Sequence, residues 1–298
     1  MKVVWLASYP KSGNTWFRMV LANLAAEGDE PVDINDLPEG GGIASARETF
    51  ERQLLIDSGL LTHDEVDALR PLLYEASARE EDDPPDEVSP IRFVKAHDAY
   101  LTTPGGEPLM AGSRGAAGAI VIVRDPRDVA VSLANHIGVG IDDAIAFLGD
   151  KRAAFSAKTA SLSRQLRQRL LDWSGHVASW LGQTDIPVHL VRYEDLQADA
   201  PAAFRAALAF AGHSATEDQI LRAVRLASFA ELQRQEQAKG FREAPSRIAS
   251  GFFRRGEAEA WRDELTPAQA ARIAKEHAAM MSRLGYEFEV RSAPVRAV

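Results

Sequence analysis

Short runs of apolar, mostly β-branched residues alternate along this chain with longer stretches whose apolar positions recur every three or four residues. The runs at 3–7, 91–95, 119–124 and 187–192 read as buried strands. Helical spacing appears at 14–26, 62–78, 129–137, 159–181, 202–211, 217–226 and 268–284. Strands that are apolar throughout, separated by helices, predict an α/β fold: a central parallel sheet flanked by helices on both faces. Two stretches have no period and read as loops. One is 36–44, with Gly40-Gly41-Gly42; the other is 239–251, with Gly240, Pro245 and scattered arginines. The expected organisation is one domain over 1–298, with a helical insertion at about 36–90 and a lid at about 239–253.

Composition narrows the chemistry. The 298 residues are enough for a large single core without disulfides or metals. Net charge is −9, which argues against a nucleic-acid partner. Cysteine is absent, so thiolate catalysis, disulfides and cysteine zinc sites are excluded. The acidic run 80–87 holds six acids and two prolines and reads as a solvated linker; outside it the chain is closer to balance. After the apolar run 3–7 comes Ser8-Tyr9-Pro10-Lys11, which fits no signal peptide. No stretch approaches the roughly 20 apolar residues of a membrane span. The expectation is a soluble, cytoplasmic protein with no membrane partner.

Ser8-Tyr9-Pro10-Lys11-Ser12-Gly13-Asn14-Thr15-Trp16 lies between the first strand and the first helix. Backbone N–H groups at such a junction form an anion site. A Walker A loop ending at Thr15 would need Lys at position 14 and Gly at 8; here they are Asn14 and Ser8, and the lysine is Lys11. This is a phosphate loop unlike that of nucleotide triphosphatases. The second motif, Arg124-Asp125-Pro126-Arg127-Asp128 through Ser132, follows the third strand. Asp125 and Pro126 suit a helix cap and first turn, and an arginine at 124 offers a forked contact to phosphate. A third, Phe252-Phe253-Arg254-Arg255-Gly256, sits just after the second loop.

Together these resemble the cytosolic-type sulfotransferases, enzymes that use 3′-phosphoadenosine 5′-phosphosulfate (PAPS). That family carries Y-P-K-S-G-T-T-W in its 5′-phosphosulfate loop. It has R-(N/D)-P-(K/R)-D-x-x-x-S at its 3′-phosphate motif and F-x-R-K-G-x-x-G-D-W further on. The departures are Asn14 in the loop, and Glu259 and Ala260 in place of the later Gly and Asp. The resemblance covers most of the chain and implies a P-loop-like PAPS-binding fold. It implies that Lys11, Ser12, Gly13, Asn14 and Thr15 hold the 5′-phosphate, with Asn14 still donating a hydrogen bond. Arg124, Ser132, Arg254, Arg255 and Gly256 would hold the 3′-phosphate. Trp16, Tyr193 (of Tyr193-Glu194-Asp195-Leu196) and Phe229 would form the adenine side, and Ser228 and Phe253 would also bind the cofactor.

The catalytic candidate is His97, in Lys95-Ala96-His97, where the family has K-(T/S)-H with His as base. Of the seven histidines only His97 falls at the C-terminal end of an expected strand, where open parallel sheets bind ligands; His136 is second. The implied chemistry is in-line sulfuryl transfer, with charge spread over equatorial oxygens as in phosphoryl transfer. His97 takes the acceptor proton, Lys11 stabilises the leaving phosphate and Lys95 neutralises the sulfuryl oxygens. No metal is required. The acceptor is a small-molecule alcohol or phenol, with an amine still open, and its pocket is expected from 40–50, 98–103, 138–147 and 239–253. Rival readings are a P-loop-like nucleotide kinase and a non-catalytic nucleotide-binding protein. A homodimer is open, but the family's K-x-x-x-T-V-x-x-x-E dimer motif is not matched: Thr266-Pro267 reads instead as the cap of a helix.

Overall fold

A computed structural model describes residues 2–37, 42–79, 91–158, 163–245, 248 and 250–286. The acidic run 80–87 and part of the Gly-rich loop lie outside the described residues. The elements in chain order are β1 (Lys2–Ser8), α1 (Asn14–Ala25), α2 (Arg47–Leu54), α3 (His63–Arg79), β2 (Ile91–Ala96), β3 (Gly118–Val123), α4 (Pro126–Ile137) and α5 (Ile141–Leu148). Then come β4 (Ala154–Phe155), β5 (Gln168–Arg169), α6 (Trp173–Gly182), β6 (Val188–Arg192), α7 (Tyr193–Ala198), α8 (Ala200–Ala211) and α9 (Glu217–Leu226). The chain closes with α10 (Phe229–Lys239), α11 (Trp261–Glu264), α12 (Pro267–Glu276) and α13 (Ala278–Arg283).

The four long strands form one sheet in the order β2-β1-β3-β6, with every pair parallel. Side-chain alternation divides each strand between two cores. Val3, Trp5, Ala7, Val121 and Val123 face a core shared with α3, α4 and α6. Val4, Leu6, Ile120, Ile122 and Val191 face one shared with α1, α8 and α9. Both faces are covered, which is why these strands are apolar throughout. From β1 the chain goes first to β2 on one side and then to β3 on the other. The loops leaving β1 and β3 therefore part at the C-terminal edge and leave a crevice there.

Two expected helices differ. Of 163–181, the described part of the stretch 159–181, only Trp173 onward is helical, in a helix that runs to Gly182, and before it β5 pairs antiparallel with β4. Leu166 and Leu170 repeat at helical spacing, but each is buried from an extended segment: the Leu166 N–H donates to Ser45 and the Leu170 N–H to Ala153. The true start is set by Asp172, whose carboxylate caps the Gly175 N–H. The stretch 268–284 is two helices that meet at His277. Thr266 caps the first of these in a reciprocal capping box with Gln269, as expected. Helix α10 lies outside the helical patterns of the sequence because it carries no apolar stripe: its buried residues are Leu232 and Gln235. No single helix among the described residues is long and apolar enough to cross a membrane.

Candidate active site

The loop after β1 is held in a conformation that few residues adopt. Lys11 (φ 72°) and Gly13 (φ 103°) are both left-handed. Strain of this kind persists only where surrounding structure fixes it. At Gly13 a Cβ would lie 2.6 Å from the Tyr193 ring, so only glycine fits. The first-turn N–H groups of α1 open into the crevice without intrahelical partners. The Ser12 hydroxyl is buried and also has no partner. The Asn14 side chain is committed to the fold. Its amide nitrogen donates to the Leu6 carbonyl (2.9 Å) and the Ser8 hydroxyl (3.2 Å), so it ties the loop back to β1.

His97 follows the last residue of β2, beside this loop. Its Nδ1 lies 2.8 Å from the Ser8 carbonyl. A carbonyl can only accept, so Nδ1 carries the proton and Nε2 holds the free lone pair. Burial, then the nearby Lys95 ammonium, hold the imidazole well below its ordinary pKa, so it is neutral. The strand end is anchored from behind by Asp98. That carboxylate binds fully buried Arg70 at 2.6 Å and the Arg169 N–H at 2.9 Å, while Trp180 donates to the Asp98 carbonyl.

The lysines converge on the same space. Lys11 Nζ sits 3.6 Å from the centre of the Phe252 ring. Burial, with Lys95 and Arg124 nearby, brings its pKa down to about 7. Lys95 donates to Glu243 at 3.0 Å, and Arg18 binds the same carboxylate at 2.8 Å. Against the cost of burial, the two cations pull the Glu243 carboxyl down to about 2.

The second phosphate motif occupies the other side of the crevice. Asp125 caps α4 through the Arg127 N–H at 2.8 Å, with Pro126 in the first turn. Arg127 is pinned by Asp125 and stacked on Trp261, so it supports the fold. Arg124 lies over the Tyr193 ring at 4.2 Å and donates to the Glu257 carbonyl at 2.7 Å. Asp128 accepts from the Glu259 and Trp261 N–H groups at 2.8 and 2.9 Å, which brings Arg254, Arg255 and Gly256 against the start of α4. Both arginines bind Glu264. Gly256 (φ 69°) passes so close to Phe229 that a Cβ would lie 2.2 Å from the ring. Trp16 and Tyr193 meet edge to face at 6.0 Å, as do Phe229 and Phe253 at 6.1 Å.

These groups line one cavity of about 570 Å³. Lys11, Gly13, Asn14, Thr15, Trp16, Lys95, His97, Arg124, Ser132, Tyr193, Phe229, Phe253, Arg254, Arg255 and Gly256 all reach its wall. Ser12 lies buried beneath the loop, and exposed Ser228 lies outside the wall. No group of three or more metal-ligating side chains occurs among the described residues.

Residues 2–285 match the family model described as the sulfotransferase domain. The chain belongs to the sulfotransferase family. No curated protein sequence matches it. Solved structures share the fold. Retinol dehydratase in complex with androsterone and the inactive cofactor PAP has a TM-score of 0.57 at 19% identity, over 99% of this chain and 84% of that one. The same enzyme with retinol and PAP gives 0.55 at 21%, over 98% and 84%. Mouse sulfotransferase SULT7A1 with PAP gives 0.54 at 18%, over 94% and 84%.

In this sulfotransferase the cavity extends past the expected residues. Ile34, Asn35 and Leu37 enter it from the segment after α1, and Phe155, Gln165 and Gln168 enter from β4, β5 and their approach. Of the expected acceptor segments, Gly42, Ile43, 241–243, Phe252 and Phe253 line it, whereas no residue of 98–103 or 138–147 does. His136 also lines it. It lies four residues beyond Ser132 and so on the same face of α4, a spacing the sequence displays. Gln168 had no such signal, because its segment has helical spacing, and Phe155 lies outside every element the sequence predicts.

Proposed function

We propose that this sulfotransferase moves the sulfuryl group of PAPS onto a hydroxyl of a small-molecule alcohol or phenol in the cytoplasm, leaving adenosine 3′,5′-bisphosphate. The observation that carries this reading is the convergence of Lys11, Lys95, Arg124 and neutral His97 on one cavity, whose far side is aromatic. The open first turn of α1 and the unpartnered Ser12 hydroxyl suit a phosphate. Arg124, Ser132, Arg254 and Arg255 suit a second phosphate, and Trp16, Tyr193, Phe229 and Phe253 suit a purine. The retinol dehydratase structures hold androsterone and retinol, and a small apolar acceptor is carried over from them.

His97 Nε2 accepts the acceptor's hydroxyl proton as the new O–S bond forms. The S–O bond to the 5′-phosphate breaks, and its electron pair remains on the phosphate oxygen. Lys11 faces that growing charge as a cation, and Lys95 faces the sulfuryl oxygens. Lys95 reaches this role by leaving Glu243. The segment around Glu243, at 239–253, then acts as a lid that shifts when donor binds.

Calorimetry with adenosine 3′,5′-bisphosphate and with ATP, each with and without magnesium, tests the donor. Tight binding of the bisphosphate, independent of magnesium, is expected. Binding of ATP alone, dependent on magnesium, would return the chain to the kinase reading.

A further inference from the structure

Among the residues that line the cavity, Gln168 carries a polar atom that the donor site does not account for. Gln168 is 1% exposed, lines the cavity, and its carbonyl Oε1 has no hydrogen-bond partner. Its amide nitrogen already donates to Gln165. A buried acceptor left open in this way is costly until something donates to it. The backbone places Gln168 close to His97. The next residue, Arg169, donates its N–H to Asp98 and accepts from the Ala99 N–H, so β5 runs directly beside the turn that carries His97.

The surroundings of Oε1 are aromatic. Phe155 is the cross-strand partner of Gln168 in the β4–β5 hairpin, so both side chains leave the same face. His136 lies between Phe155 and Phe252, at ring distances of 6.4 and 6.0 Å. Its Nδ1 is likewise buried without a partner. Charge narrows the class of ligand further. The acids that line the cavity are Asp128 and Glu243. The first is held by two backbone N–H groups and the second by Lys95 and Arg18. Asp128 keeps its two N–H donors, and Glu243 keeps Arg18 on both its oxygens when Lys95 leaves it, so neither is open to an ammonium.

We infer that this is the acceptor subsite, and that it selects an uncharged, flat apolar hydroxyl compound bearing a second hydrogen-bond donor, which Gln168 Oε1 reads. The inference rests on the sulfotransferase reading of the cavity and adds the acceptor class to it. The reacting hydroxyl meets His97, the ring system lies against Phe155 and Phe252, and the second hydroxyl or N–H meets Gln168. An amine that is charged at neutral pH is disfavoured.

The test compares 2-naphthol with naphthalene-2,7-diol, two compounds of the same body that differ by one hydroxyl. Their dissociation constants are measured on the chain alone and with adenosine 3′,5′-bisphosphate bound. Wild type is expected to prefer the diol by roughly tenfold or more. Gln168→Leu brings the ratio towards one, whereas Gln168→Glu, which keeps an acceptor oxygen in place, retains a preference. A ratio near one in wild type, binding of neither compound, or an unchanged ratio in Gln168→Leu overturns the inference. Failure of the bisphosphate to bind counts against the donor reading instead, and the ratio on the chain alone still decides this one.

Discussion

Lys11 provides a quantitative test of the donor site. Its pKa stands at about 7, lowered first by burial and then by Lys95 and Arg124. Such a lysine is about nine-tenths neutral at pH 8. A bisphosphate bound beside it favours the charged form, so binding draws a proton from solution. At pH 8 the ligand's own phosphates, with second pKa values near 6, are already fully ionised and contribute almost nothing. Uptake by Lys11 should therefore approach about 0.9 proton per site at pH 8 and fall to about 0.1 at pH 6. Full recovery of the ordinary value of 10.5 would couple proton and ligand by on the order of 5 kcal/mol. The sign follows: affinity is greatest below pH 7 and weakens by up to about tenfold per pH unit above it, until the pKa of the complex is reached. Calorimetric titration in two buffers of different ionisation enthalpy reads the stoichiometry, and Lys11→Met isolates this residue from Lys95. Zero uptake in wild type at pH 8, or the same uptake in Lys11→Met, would refute the reasoning.

Other residues give sharper structural tests. Arg70→Met leaves Asp98 as an uncompensated buried charge and should lower stability by about 3–5 kcal/mol in urea unfolding; a loss under about 1 kcal/mol would mean the pair is not needed. Glu259 sits at φ 61°, where its resembled family has glycine, and its exposed pairing with Arg262 is worth little, so Glu259→Gly should be neutral or stabilising by up to about 1 kcal/mol; a clear loss of stability would contradict the strain. Asn14→Ala frees the Leu6 carbonyl and the Ser8 hydroxyl behind His97. The expected result is a fall in kcat with less than about threefold change in bisphosphate affinity, since its amide points into the fold; a tenfold loss of affinity would restore Asn14 as a phosphate ligand.

The parts of the site that were legible are those where local backbone chemistry and function coincide. An apolar strand, a turn with Gly13 and a helix start together specify an anion site, and each is visible within a few residues. Asp125-Pro126 marks the start of α4 for the same reason. What was hidden depends on distant pairing. Phe155 and Gln168 meet through a two-residue ladder, and on the Gln168 side the spacing imitates a helix. Glu243 pairs with Lys95 and Arg18 across the whole fold, and no local pattern predicts that. Asn14 shows a subtler limit. The sequence shows which group is present in the phosphate loop, but only the packing of Leu6 and Ser8 decides where its amide points.

The central claim is that neutral His97, held through Nδ1 by the Ser8 carbonyl, is the base for sulfuryl transfer from PAPS. Single-turnover transfer of radiolabelled sulfuryl to 2-naphthol, measured for wild type and His97→Gln at saturating donor, tests it most directly. Wild type is predicted to transfer the label, and His97→Gln to be slower by roughly 10²–10⁴-fold with bisphosphate affinity retained. Equal rates in the two proteins would contradict the account.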